Sequence, residues 1–276
     1  MTEASVGHQC PECVAEGRRT QRSTRTIFGG SLAGAKGYVT LTLIAINVLV
    51  MIASAISAGG HGLFGGAFGG LMGGDTPLLD KGSALGALQY QDSTGQKLLG
   101  PGGISAGEYY RLVTSMFLHL GPLHLLMNMW ALWVLGRTLE AVLGPIRFLV
   151  LYLVAGLGGS VAVYLFSPFP GGAGASGAIF GLFSALFIIL KRLRRDTSSI
   201  IPLLVINLAI SFIPGISLAA HLGGLVTGAM VAFALAYSPA RNRNLYVGVA
   251  VGLLLGVMAV AVVVQTTAIR GFIPIG

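Results

Sequence analysis

"GGAGASGAIFG", residues 171–181, is a run of small residues that leads into one of the apolar segments of this chain. Small residues spaced along an apolar helix let two membrane helices pack closely, so a helix contact is one interpretation. The other interpretation is that Ser176, at the centre of the run, is a nucleophile within a membrane span. A serine needs a neighbouring base before it can attack. The choice between a helix contact and a nucleophile therefore depends on whether the rest of the chain supplies such a base.

The composition predicts an all-α integral membrane protein. Of the 276 residues, 54% are hydrophobic and only 9% are charged, whereas about a quarter of a soluble domain is charged. Apolar runs of about 20 residues fit helices that cross a ~30 Å hydrocarbon core. The 42 glycines suit close packing between such helices.

Hydropathy predicts a series of membrane spans separated by short polar stretches. They lie at about 38–58, 122–142, 146–166, 176–190, 199–213, 218–237 and 245–266. The basic N-terminal stretch lacks the apolar core and cleavage site of a secretory signal peptide, so we expect the first span to be retained.

Three regions follow from this division of the chain. Residues 1–37 form an N-terminal tail, and residues 38–237 form a six-helix core. Within the core, residues 59–121 form a long external loop, whose glycine-rich first part is expected to be mobile. Residues 238–276 carry an appended seventh transmembrane helix and the C-terminus.

The distribution of positive charge predicts the orientation. With the N-terminus in the cytoplasm, thirteen of the 17 Lys and Arg residues lie on the inner face, a strong positive-inside bias. The run "KRLRR" at 191–195 then anchors the topology, and no nucleic-acid partner is expected despite the net charge of +8. Composition favours a bacterial source, so we expect a multi-pass protein of the plasma membrane.

Four polar residues are candidates for function because they lie within predicted spans, where polar groups are costly. They are His124, Asn128, Ser176 and His221. The three spans that carry them all run from outside to inside, and each residue lies early in its span. The four side chains are therefore expected at one depth, in the outer third of the membrane.

Helix packing and catalysis reinforce each other here. His221 is followed by Gly224-x3-Gly228, a spacing that brings two membrane helices close together. The fourth span offers Gly177 and Gly181 as the opposing surface. Such a contact would bring the His221 imidazole within reach of the Ser176 hydroxyl. Each of the two residues, taken alone, also has a purely structural interpretation.

A Ser-His dyad is the simplest catalytic arrangement for these residues. No Asp or Glu lies in the fourth or sixth span, so a complete triad has little support. His124 and Asn128 are four residues apart and share a helix face. With the backbone N–H of Ser176 they would form an oxyanion hole, unless they are only a structural hydrogen-bonded pair.

Three motifs in order resemble the rhomboid family of intramembrane serine proteases: "HLLMN" at 124–128, "GASG" at 174–177 and "AHLGGLVTG" at 220–228. The resemblance covers about residues 104–237 and the first span. It implies a six-helix bundle in the lipid bilayer, with Ser176 as nucleophile and His221 as general base. Cleavage would occur in or near the transmembrane helices of single-pass membrane proteins, with the active site opening to the outer face and no cofactor.

The resemblance also assigns supporting roles. Arg111, in "YR" where the family has Trp-Arg, His119 and Glu140 of "LEAVLG" are implied to be structural. The glycines of the motifs, Gly174, Gly177, Gly224 and Gly228, are expected to support the turn and the helix contact. A catalytically silent rhomboid-like protein that binds membrane helices is the alternative. A transporter is disfavoured, because the polar cluster is shallow and no inverted repeat is seen.

The N-terminal tail contains "HQCPEC", in which His8, Cys10 and Cys13 have the spacing of metal ligands. A structural zinc site uses four ligands, and only three are present in this tail. Zinc binding, with a site that two chains could share, is therefore one interpretation. A remnant zinc knuckle and an unstructured tail are the others.

Overall fold

The structure is a computed structural model that describes residues 2–4, 7–20, 25–59, 74–91, 97–100, 102–169, 171–213 and 215–271. Its helices are α1 (Pro11–Thr20), α2 (Tyr38–Ser57), α3 (Pro77–Gly82), α4 (Arg111–Thr114), α5 (Pro122–Ala131), α6 (Arg137–Leu143), α7 (Pro145–Phe166), α8 (Ser176–Arg192), α9 (Ile200–Ile210), α10 (Leu218–Tyr237) and α11 (Arg243–Arg270). Short 3₁₀ helices lie at Leu32–Lys36 and Ile104–Ala106.

Two small antiparallel hairpins accompany the helices. In the tail, β1 (Thr2–Ala4) pairs with β2 (Gly7–Gln9). In the first loop, β3 (Leu88–Gln91) pairs with β4 (Lys97–Gly100). The glycine-rich stretch 60–73, expected to be mobile, lies outside the described residues.

The prediction of an all-α membrane protein is confirmed. Within the described residues, the helices that are long and apolar enough to cross a membrane are α2, α7, α10 and α11, and α9 is a shorter apolar helix. α8, with 17 residues, is about 25 Å long at 1.5 Å per residue, which is shorter than a hydrocarbon core. The chain is a multi-pass membrane protein in which spans of different length pack together.

The second predicted span is one helical run with an irregular centre. α5 begins with Pro122 at its first position, where a missing N–H costs nothing. A π-helical turn, Leu132–Gly136, joins α5 to α6. The run ends at Gly144, whose φ of 83° is a value that favours glycine over other residues. Pro145 then starts α7.

α7, α8 and α10 pack on one another and form the centre of the molecule. α7 is the most enclosed of the long helices, and its glycines admit α10. A Cβ on Gly158 would lie 2.1 Å from the Thr227 hydroxyl oxygen, and one on Gly159 would lie 2.9 Å from the Ala220 carbonyl oxygen. The backbones of α7 and α10 therefore approach too closely for larger side chains at these positions.

A buried carboxylate ties α2 to the end of α6. Gly37 at the N-cap of α2 has no side chain to pair the free N–H groups of the first turn. Glu140 supplies the acceptors instead: its carboxylate accepts from the Val39 N–H at 3.0 Å and from the Thr40 N–H at 2.8 Å and hydroxyl at 2.7 Å. Glu140 is fully buried, so this contact fixes where α2 enters the bundle.

α11 lies at the edge of the bundle and is mostly exposed. It is attached at both ends, and at its N-terminal end the Arg147 guanidinium of α7 donates to the Asn244 amide oxygen at 2.7 Å. At its C-terminal end two further contacts are made. The Tyr164 hydroxyl lies 2.9 Å from the Thr266 hydroxyl, and the Arg270 guanidinium donates to the Ser105 carbonyl at 2.6 Å. These contacts connect the appended helix to α7 and to the first loop.

Candidate active site

Ser176 lies at the first position of α8, at the end of a tight turn. Gly174 has a φ of 136°, which favours glycine, and its N–H donates to the Ser115 carbonyl at 2.8 Å. The Ile179 N–H is bonded to the Ala175 carbonyl, so the first-turn N–H groups at 176–178 have no partner within the helix. These groups give the N-terminus of α8 a partial positive charge beside the Ser176 hydroxyl.

The His124 imidazole faces the same turn. A Cβ built on Gly174 would lie 2.7 Å from His124 Cε1, 2.9 Å from His124 Nε2 and 3.7 Å from Ser176 Oγ. The ring and the hydroxyl therefore flank one point, and a side chain on Gly174 would occupy the space between them. This contact requires glycine at Gly174, in addition to the positive φ.

The tautomer of His124 follows from the hydrogen bond that its Nδ1 nitrogen accepts. His124 Nδ1 accepts a hydrogen bond from the Leu120 N–H at 3.4 Å. A neutral imidazole that accepts at Nδ1 carries its proton at Nε2. The His124 Nε2–H is thus a donor directed at the space beside Ser176, which is the property an oxyanion hole needs.

Asn128 lies one turn after His124 on α5 and is buried. Its amide nitrogen donates to the His124 carbonyl at 2.8 Å. An amide has two N–H donors, so one remains after this bond. The two predicted oxyanion residues are therefore brought together on one helix face, with Asn128 linked to the backbone of His124.

His221 lies on α10 and packs against the face of α8 that carries Ser176. Its ring stacks on Phe180 with centroids 4.1 Å apart and planes at 12°. Phe180 follows Ser176 by four residues, so the two share a helix face. Among the described residues no hydrogen bond joins the Ser176 hydroxyl to His221; such bonds are often long in substrate-free enzymes.

Glycine contacts hold α8 and α10 at this distance. A Cβ on Gly224 would lie 1.8 Å from the Gly177 carbonyl oxygen, and a Cβ on Gly228 would lie 2.3 Å from Gly181 Cα. The Gly-x3-Gly spacing in α10 thus faces the two glycines of α8. Backbone contact between the helices is what brings His221 to the Ser176 face.

The predicted structural residues make specific contacts, and one of them, His119, lies beside this cluster. His119 is buried and packs edge-on against His124, with ring centroids 5.1 Å apart. The Arg111 guanidinium donates to the Asp80 carbonyl at 2.7 Å and the Ser83 carbonyl at 3.2 Å, and pairs with Glu108. Arg111 therefore ties α3 and α4 of the first loop together, whereas Glu140 lies away from this cluster, at the α2 contact.

The N-terminal tail shows two exposed, free cysteines, Cys10 and Cys13. Hydrogen bonds from the Cys13 and Glu12 backbone lower the pKa of the Cys10 thiol. Among the residues that the structure describes, no group of three or more metal-ligating side chains is found; the side chain of His8 lies outside them. Zinc binding stays a prediction.

Sequence reasoning missed two neighbours of His221. Phe180 stacks on its ring, and Ser211, the residue directly after α9, lies 2.5 Å from its Nδ1. The spacing of four residues from Ser176 was a signal for Phe180. No motif or spacing in the predicted span 199–213 marked Ser211 as a partner of His221.

The sequence is similar to proteins of one family. Residues 106–238 match the model of the rhomboid domain. The chain is 44% identical over 138 residues to rhomboid protease GluP of Bacillus subtilis (strain 168). These residues are 48% of this chain and 27% of GluP. The chain is 39% identical over 138 residues to the putative rhomboid protease YdcA of the same organism, covering 48% of this chain and 69% of YdcA.

A plant relative shows similarity of the same extent. RHOMBOID-like protein 6, mitochondrial, of Arabidopsis thaliana is 38% identical over 143 residues, 49% of this chain and 47% of that protein. The chain thus spans less than half of GluP and of the plant relative, and more than two thirds of YdcA.

Proposed function

Because this chain belongs to the rhomboid family, we propose that it is an intramembrane serine endopeptidase with Ser176 as nucleophile and His221 as general base. One observation carries the proposal. The face of α8 that begins with Ser176 holds the His221 ring through Phe180, and the His124 Nε2–H is directed at the turn before it. We infer from this placement that the nucleophile, the base and an oxyanion donor act together on one peptide bond.

The proposed reaction proceeds through an acyl-enzyme. The Ser176 oxygen attacks the carbonyl carbon of the scissile peptide while His221 Nε2 takes the hydroxyl proton. The carbonyl oxygen gains negative charge and accepts from His124 Nε2–H, the free Asn128 amide N–H and the Ser176 N–H. The C–N bond then breaks as His221 returns the proton to the leaving amine, and water attacks the ester by the same steps in turn.

The substrates we propose are single-pass membrane proteins, cleaved in or beside their transmembrane helix. A peptide bond within a helix is shielded by its backbone hydrogen bonds, so the segment has to unwind before Ser176 reaches it. No cofactor is needed for this chemistry.

Lateral entry of the substrate is proposed beside α9. Its only buried residue is Ile200, and side chains such as Val205 and Ile206 are more than half exposed. Because α9 is short and mostly exposed, moving its N-terminal and central part aside breaks little packing and leaves Ser211, after its C-terminal end, bonded to His221. If a disulfide that locks α9 to α5 leaves cleavage unchanged, this route is wrong.

The placement in the cell is part of the same proposal. We propose the plasma membrane of a bacterium, with the N-terminus in the cytoplasm and the active site open to the outer face. The positive-inside bias supports this orientation. The tail at 1–37, the core at 38–237 and the appended helix at 238–276 are proposed as its three regions, with zinc at His8, Cys10 and Cys13 of the tail.

The test is labelling with a fluorescent fluorophosphonate, which reacts with an activated serine by displacing fluoride from phosphorus. We expect labelling of the wild type and none of Ser176→Ala or His221→Ala. Ser184→Ala is the matched control, because the Ser184 hydroxyl is buried in the same helix but bonds only the Gly181 carbonyl at 2.9 Å. Labelling that persists in Ser176→Ala refutes the nucleophile, and a wild type without labelling favours the catalytically silent alternative.

A further inference from the structure

The Nδ1 nitrogen of the His221 imidazole is bonded by the residue that directly follows α9. The Ser211 hydroxyl oxygen lies 2.5 Å from His221 Nδ1, and both residues are almost fully buried, with 2% and 6% exposed. Ser211 lies directly after α9, ten positions before His221 in the chain. The bond thus joins α9 to α10 across the candidate active site.

A second contact of the same hydroxyl favours one direction for the first, in which Ser211 accepts from His221. Ser211 Oγ is also 3.0 Å from the Asn207 carbonyl oxygen, to which it donates. A serine has one hydroxyl proton, so an oxygen that donates to Asn207 can only accept from His221. The proton of the neutral imidazole then lies on Nδ1, and the lone pair lies on Nε2, the nitrogen that acts as base.

The carbonyl at the end of this chain of hydrogen bonds belongs to the C-terminal turn of α9. The Ser211 N–H is bonded to the carbonyl of Leu208, so the Asn207 carbonyl is left for the hydroxyl. The C-terminal carbonyls of a helix carry partial negative charge. A protonated His221 would donate from Nδ1 through Ser211 to this carbonyl, so its positive charge would be partly compensated.

No carboxylate performs this task in the surrounding helices, since neither α8, α9 nor α10 contains an Asp or Glu. The stacking of Phe180 holds the plane of the ring but does not select the tautomer. Selection needs a hydrogen-bond partner at Nδ1. Ser211 is the only partner at that nitrogen among the described residues.

We propose that Ser211 is the positioning residue of His221: it holds the Nδ1–H tautomer and transmits the partial charge of the α9 C-terminus to the imidazolium. This inference rests on the proposed protease function. The alternative is that the bond only joins α9 to α10, in which case its loss lowers stability and leaves the reactivity of Ser176 unchanged.

The experiment measures two properties in the full chain, in detergent micelles. The first is the rate of Ser176 labelling by fluorophosphonate in the wild type, Ser211→Ala, Ser211→Thr and the control Ser184→Ala. The second is the ¹⁵N spectrum of the histidine rings, with the His221 signals identified by their absence in His221→Gln. The ring-nitrogen shifts report which nitrogen carries the proton.

We expect Ser211→Ala to label about ten- to hundredfold more slowly, the loss of one hydrogen bond to a charged group. Its His221 signals should move from the Nδ1–H tautomer to a mixture. Ser211→Thr keeps the hydroxyl and should keep both the labelling rate, within about threefold, and the tautomer.

Labelling of Ser211→Ala at the wild-type rate, or an unchanged tautomer, overturns the proposal. So does an equal loss in Ser184→Ala or Ser211→Thr, because the effect would then not depend on the hydroxyl at Nδ1. A wild type that does not label at all refutes the protease function instead, and the ¹⁵N spectra then still show whether Ser211 selects the tautomer.

Discussion

Replacing Gly224 by alanine should slow the labelling of Ser176 in a protein that still folds. The added methyl group would lie 1.8 Å from the Gly177 carbonyl oxygen, where ordinary van der Waals contact begins near 3.4 Å. α8 and α10 therefore have to separate by about 1.5 Å at this point, because backbone atoms leave no side chain to rotate away. We expect a loss of about 1–3 kcal/mol in stability from this overpacking.

The effect on the proposed reaction should appear in the folded protein, separately from the loss of stability. Gly177 directly follows Ser176, and Gly224 is three residues after His221, so the separation acts at the nucleophile and the base. A misplacement of about 1 Å costs ~10²-fold in rate. We therefore expect Gly224→Ala to label with fluorophosphonate at least about 100-fold more slowly than the wild type, at a temperature where it remains folded.

The control for this experiment is Gly252→Ala. Gly252 lies on α11, and nothing is found within 4 Å of a Cβ built on it, so labelling and thermal unfolding should not change. Gly228→Ala, two turns beyond His221, should lose similar stability and less labelling. A folded Gly224→Ala that labels at the wild-type rate would refute the idea that the glycine contact sets the distance between Ser176 and His221.

Three further perturbations test other parts of the structure. Gly174→Ala should remove labelling, because its methyl would meet the His124 ring at 2.7 Å and φ is 136°; unchanged labelling excludes His124 from the site. Glu140→Gln should lower the unfolding temperature by weakening the bonds to Val39 and Thr40, at about 1–3 kcal/mol, while the labelling rate of the folded protein stays the same. Cys10 should be alkylated by iodoacetamide at lower pH than a free thiol, since its pKa is lowered, and zinc should block the reaction if the tail binds it.

The class of the protein could be predicted from composition and spacing, and the structure confirms it. Few charges and apolar runs of about 20 residues favour a helical bundle in lipid, because a helix pairs its backbone polar groups within itself and needs this length to span. The order of the three motifs predicted the rhomboid family, which the relatives confirm. The hairpin of β3 and β4 was not anticipated, since it lies in a loop without strong alternation.

The candidate site could be predicted only in part. Ser176, His221, His124 and Asn128 were selected because polar residues are rare in spans. The structure places His124 beside the turn at Gly174 and His221 on the face of α8 that carries Ser176, and their roles stay predictions. The hydrogen bonds that define their chemistry were beyond prediction. Which nitrogen of His124 carries the proton depends on the Leu120 N–H, a contact that sequence spacing does not encode.

The sequence by itself determined that α8 and α10 touch, because glycines at matched spacing on two apolar helices leave close contact as the favourable packing. It also determined which side chains have the chemistry to react. Only the tertiary structure decided what lies behind His221, because Ser211 reaches it from the end of a third helix whose direction depends on the whole bundle. Hydrogen bonds form over less than 3.5 Å, and a helix end is positioned to that accuracy by packing, not by local sequence.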